Sequence, residues 1–178
     1  MWFEKLTGFA EESPLQVRKN LSVHGNILKS HINGNEYFHG LLQTPSLSEL
    51  QNRVNDIETR NIKISIQEIV ADVQELHTQE ANAGALFQVA SQFNLLEMVS
   101  PNVTPEQGVD GYEYDYTQGP ACAIAAGAGT IYRNYFANVN GEVGQTSDNQ
   151  INCLCDIDDA LGNKNNRLWK MQNGYVLS

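Results

Sequence analysis

An α/β domain with a mixed sheet flanked by helices and a peripheral β-hairpin is predicted from three features of the sequence. Four segments open with the Ser-x-x-Gln/Glu signature of a helix start, and two Asn-Gly dipeptides sit between apolar runs at hairpin spacing. The third feature is an apolar run at 85–91 that leads through a polar loop into a small-residue helix, an alternation that argues for one α/β layer structure. With 178 residues, 41% of them hydrophobic, the chain has enough apolar surface for one core, so residues 1–178 are read as a single domain.

Taken in order, Ser13-Pro-Leu-Gln16 starts the first helix, with Pro14 at a position where a missing N–H costs nothing. Residues 21–31 and 36–42 flank Asn33-Gly34 and form the predicted ribbon. Ser46-Leu-Ser-Glu49 opens a second helix, with Leu47, Leu50, Val54 and Ile57 at helical spacing. Ser65-Ile-Gln-Glu68 opens a third over 65–79, with Ile66, Ile69, Val70, Val73 and Leu76 as its stripe. After Asn82 and Gly84 comes the strand at 85–91, then the loop from Val99 to Thr117, whose length predicts a binding loop or lid. A fifth helix is expected over 119–137. The fourth Ser-capped helix starts at Ser147-Asp-Asn-Gln150 and ends at Gly162 in a left-handed conformation. Leu168-Trp-Lys-Met and Tyr175-Val-Leu flank Asn173-Gly174, and the second arm ends almost at once at Ser178. The fold is therefore expected to be incomplete at its C-terminus, or completed by a second polypeptide.

Eleven Lys and Arg against twenty-one Asp and Glu give a net charge of −10, which repels a phosphate backbone, and no basic cluster offsets it. Nucleic acid is excluded as an expected partner. Met1-Trp-Phe-Glu-Lys-Leu-Thr7 offers no apolar run of signal-peptide or membrane-helix length, so no membrane association and a cytoplasmic location are expected. Cys122, Cys153 and Cys155 are odd in number, and two are one residue apart, which suits neither a disulfide framework nor zinc. His24, His31, His39 and His77 stand in no ligand spacing. Neither a metal nor a cofactor is expected.

The chemistry is expected where the 85–91 strand ends and the 119–137 helix begins. Gly119 permits a tight bend and Pro120 suits a first helical turn, so the N–H groups that follow, with Gln118 and Ala121, form an anion-docking start. Gly127 and Gly129 cost helix stability unless some close approach compensates. Ser91, Gln92, Phe93 and Asn94 emerge at the strand's carboxyl edge, where open α/β sheets place ligands. Glu97 and Asp115 are the two carboxylates able to divide base and orienting roles there, provided burial raises their pKa. Asn152 is the polar residue beside Ile151 and Leu154 that the predicted cap leaves unexplained. Tyr112, Tyr114, Tyr116, Tyr132 and Tyr135 either stack a base or cover the core.

A strand ending Ala90-Ser-Gln-Phe-Asn94, a loop, and a Gln118-Gly119-Pro120-Ala121 entry into a small-residue helix together resemble the ADP-ribose-binding half of macrodomains and the related poly(ADP-ribose) glycohydrolases. The resemblance covers roughly residues 80–137. It implies that Asn94 contacts the distal ribose and that the 118–121 turn holds the diphosphate. The glycohydrolases' Gln-Glu-Glu triplet and the family's run of glycines have no counterpart here, so the resemblance implies a pocket for an ADP-ribose- or NAD-derived nucleotide more than its hydrolysis. A rival reading takes Cys122 as a nucleophile whose thiolate is stabilised by the helix start, with Gln118 donating to an oxyanion and a histidine as base. A third takes the chain as a non-catalytic interaction domain.

Overall fold

The computed structural model describes residues 1–43, 45–55, 63–88, 101–114, 118–151, 154–173 and 175–177. Helix α1 (Trp2–Thr7) stops at Gly8, and α2 (Pro14–Asn20) starts as predicted, with Ser13 Oγ accepting the Gln16 N–H at 3.2 Å. The Gln16 side chain reaches back one residue further than a capping box requires, accepting the Glu12 N–H at 3.1 Å. Strands β1 (Leu21–His24), β2 (Ile27–Ser30) and β3 (Glu36–Phe38) follow as an antiparallel meander.

The ribbon thus has three strands rather than two. His24 pairs with Ile27 across a two-residue Gly25-Asn26 turn, so the run 21–31 is two arms and not one. Gly-Asn between apolar residues is itself a hairpin signal, and Gly25 at φ +60° supplies the conformation it needs. The Asn33-Gly34 connection joins β2 to β3, with Lys29 opposite Glu36.

α1, α2 and this sheet build the core with α6 (Ala128–Tyr135). Phe3, Val17, Leu28, Val109, Ile131 and Tyr135 are almost wholly buried there. Each such aliphatic side chain contributes about 1.5–3 kcal/mol relative to exposure. The helix expected over 119–137 is two helices, α5 (Gln118–Ala126) and α6, because Gly127 at φ +51°, ψ −103° leaves the helical region. A Cβ at Gly129 would lie 3.1 Å from the His39 carbonyl oxygen, so the close approach its glycine implied is backbone following β3.

Two other predicted helix starts are displaced. Ser46 and Glu49 form the full capping box of α3 (Leu47–Asn55), with Ser46 Oγ accepting the Glu49 N–H and Glu49 Oε2 accepting the Ser46 N–H at 2.7 Å. Its stripe, however, faces solvent, Leu47 being 71% and Val54 62% exposed. Ser65 caps nothing: residues 63–70 are not helical, Ile66 and Val70 are fully open to solvent, and α4 (Val73–Thr78) begins only after Asp72, whose carbonyl accepts the Leu76 N–H. A local cap signal is worth about 1 kcal/mol and starts a helix only where the apolar face behind it finds a partner. Ser147 is likewise no cap. Its N–H and hydroxyl both donate to Glu106, the 146–149 turn is closed by a Thr146–Asn149 bridge, and α7 (Leu154–Leu161) starts later. Gly162 does end that helix left-handed, at φ +67°.

An unpredicted hairpin, β4 (Asn138–Val139) and β5 (Glu142–Val143), turns at Asn140-Gly141 with both residues at positive φ. The predicted C-terminal hairpin is present as β6 (Lys170–Gln172) paired with β7 (Tyr175–Leu177). The chain is therefore α/β, but every strand pairing among the described residues is antiparallel and lies in a small sheet. The mixed sheet is not found there, and residues 85–88, the described part of the predicted 85–91 strand, join no sheet. No helix among the described residues is long and apolar enough to cross a membrane.

Candidate functional site

The expected site is anchored on α5. Gln118, Gly119 and Pro120 form its first turn, no acidic residue stands in that turn, and Ala121 and Ala123 are buried. α5 packs against α4 and against the 3-10 turn Asp110–Tyr114 that approaches it in sequence. Ser91, Gln92, Phe93, Asn94 and Glu97 lie outside the described residues, as do Asp115, Tyr116 and Asn152. Cys122 is half-buried and occupies the fifth position of α5, beyond the first turn, because the helix begins at Gln118 rather than 119 or later. The helix dipole and unpaired N–H groups act most strongly within the first turn.

Residues 101–114, the described part of the loop before α5, are packed down rather than open. Pro105, Val109, Asp110 and Tyr112 are buried, and the segment is tied down from several directions. Trp2 Nε1 donates to the Val109 carbonyl at 3.2 Å, the Trp2 N–H to Glu113 at 2.8 Å, and Asn134 Nδ2 to the Pro105 carbonyl at 3.0 Å. Glu106 in turn accepts from Ser147. Loops with this many apolar contacts and backbone bonds belong to the stable part of a fold.

At the centre of this network is Glu11, from the strap between α1 and α2. Its carboxylate accepts the N–H groups of Val109 at 2.8 Å and Asp110 at 2.7 Å and the Tyr135 hydroxyl at 2.5 Å. Burial raises its pKa above the ordinary 4.5; the hydrogen bonds from Tyr135, Asp110 and Val109 oppose that rise, and the Asp110 charge adds to it. Burial likewise pushes up the Tyr135 hydroxyl, with the Glu11 charge second, and raises the Asp110 carboxyl. Asp110 Oδ1 is buried with no hydrogen-bond partner among the described residues. With both oxygens engaged, Glu11 is a clamp and not a free base. Sequence reasoning missed it, since its partners are 98 to 124 residues away and no local spacing marks them.

The tyrosines divide accordingly. Tyr112 and Tyr135 are core residues, Tyr132 stacks on His39 with ring centroids 3.9 Å apart, and Tyr114 remains 65% exposed beside the approach to α5. His77, on α4, has its ring edge against Phe87. Among the described residues no group of His, Cys, Asp or Glu is arranged to hold a metal ion. Compared with family models, curated proteins and solved structures, the chain matches none.

Proposed function

We propose that the chain binds an ADP-ribose- or NAD-derived nucleotide, with the diphosphate at the start of α5 and the adenine against Tyr114. The observation that carries this reading is the helix start itself. A nine-residue helix opens on Gln118-Gly119-Pro120 with no carboxylate in its first turn, so its positive end is not compensated by its own side chains. Tyr114, exposed and four residues before that start, supplies an aromatic face suited to a base. Ser91, Gln92, Phe93, Asn94 and Asn152 complete the pocket in this reading, and the macrodomain-like arrangement extends over residues 80–137. Hydrolysis would place Glu97 and Asp115 as base and orienting carboxylate. The setting is cytoplasmic, in keeping with three cysteines whose spacing suits no disulfide framework.

The test is calorimetric titration with ADP-ribose, NAD, AMP and ribose-5-phosphate. Micromolar binding of ADP-ribose that is lost in Asn94→Ala supports the reading, and no heat from any of the four ligands rejects it.

A second reading, an interaction domain covered by a partner polypeptide, draws on a separate observation. Leu41, Leu47, Leu50, Val54, Ile64, Ile66, Ile69 and Val70 are all exposed within thirty residues. Light scattering that gives a monomer at all concentrations, with no loss of solubility, counts against it.

A further inference from the structure

The approach to α5 is set by a residue from the other end of the sequence. The strap carrying Glu11 is fixed at both ends, where the Gly8 N–H bonds to Glu4 and Ser13 caps α2, so the carboxylate is presented by backbone that is itself held. The contact is also built into the loop. A side chain at Gly108 would fall on the Glu11 carboxylate, and the Gly108 backbone, φ +88°, ψ −172°, lies where only glycine is comfortable. The next two amides, Val109 and Asp110, are the ones that Glu11 accepts, and Asp110 opens the 3-10 turn that packs on α5. From Tyr114 to Gln118 the chain has only four Cα steps, no more than about 15 Å when extended. A shift of the turn is therefore passed to α5 through the packing between them.

We infer that Glu11 is a positioning residue for the nucleotide site. By clamping Val109 and Asp110 it sets the Asp110–Tyr114 turn against α5 and places Tyr114 beside the helix start. The inference rests on the nucleotide reading above. Glu11 itself touches no ligand, since its oxygens are occupied by Val109, Asp110 and Tyr135.

The experiment combines ADP-ribose titration with amide hydrogen exchange on Glu11→Ala, Glu11→Gln and Val17→Ala. Val17 is fully buried on α2, so its truncation destabilises the same N-terminal unit while leaving every hydrogen-bonding group of the Glu11 clamp chemically unchanged. Glu11→Ala is expected to weaken ADP-ribose binding about tenfold or more, a usual size for coupling between separated groups. Glu11→Gln, which keeps an acceptor oxygen, is expected to recover most of that affinity, and Val17→Ala to bind as wild type. Equal weakening by Val17→Ala, or wild-type affinity in Glu11→Ala, overturns the inference. If the unmodified chain ignores ADP-ribose, the nucleotide reading has failed and exchange judges the clamp alone. Faster exchange in Glu11→Ala confined to residues 109–114 upholds the clamp, and exchange that rises equally in β1 and β2 overturns it.

Discussion

Replacing Gly108 by alanine isolates the contact between the N-terminal strap and the loop before α5. The backbone there has φ +88° and ψ −172°, a region that costs a non-glycine residue about 1–3 kcal/mol. The added Cβ also occupies the place of the Glu11 carboxylate, which must swing away from the Val109 and Asp110 amides. Hydrogen bonds to a charged acceptor are worth about 1.5–3 kcal/mol each, so losing one of them brings the expected cost to about 2.5–6 kcal/mol. For a chain of this length that lowers Tm by roughly 5–24 °C. Gly34→Ala is the reference, because Gly34 also has positive φ, +75°, but a Cβ there meets nothing within 4 Å. Strain alone should cost it about 1–2 kcal/mol. Urea midpoints for both variants give the comparison, and equal losses would refute the argument that the carboxylate fills the space over Gly108.

Three further outcomes follow from the same packing. Because burial raises the Glu11 pKa on folding, the folded state holds that proton more tightly than the unfolded one. Stability contributed by Glu11 is thus full below its unfolded value, near 4.5, and is lost as pH rises through the raised folded value. The stability advantage of wild type over Glu11→Gln is therefore expected to shrink as pH rises above 4.5, and parallel urea midpoints from pH 4 to 8 would contradict this. Ile131→Ala, at a site with no exposure, is expected to cost about 2–5 kcal/mol by denaturant unfolding. Val54→Ala, on the open face of α3, is expected to change stability by less than about 0.5 kcal/mol, and a cost above 2 would mean that the α3 stripe is covered in solution.

What the sequence disclosed about the fold was its local chemistry. Ser13 and Ser46 cap helices, Gly162 ends one, the Asn33-Gly34 turn joins two strands, and the strands expected near the C-terminus pair, because each is decided by a side chain and its neighbours within a few residues. The Gly25-Asn26 and Asn140-Gly141 turns carried the same signal and were readable. Ser65 and Ser147 have the same spacing as Ser46 and cap nothing, since Ser147 is drawn to Glu106, forty-one residues away. Tertiary competition of that kind leaves no mark in a local window. The loop before α5 was read as a binding loop or a lid from its length and polarity, and the packing of its described residues depends on Trp2, Glu11 and Asn134, all distant in sequence. Of the expected site, the sequence located the α5 start at Gln118-Gly119-Pro120 and missed the clamp that holds its approach.

The central claim, a nucleotide diphosphate docked on the α5 start, is tested most directly by an amide nitrogen–proton NMR titration with ADP-ribose. The expected result is saturable shifts at the Gln118, Gly119 and Ala121 amides, following one micromolar dissociation constant and larger than the shifts in β1–β3. Absence of saturable shifts at those three amides, or shifts confined to other parts of the chain, would contradict it.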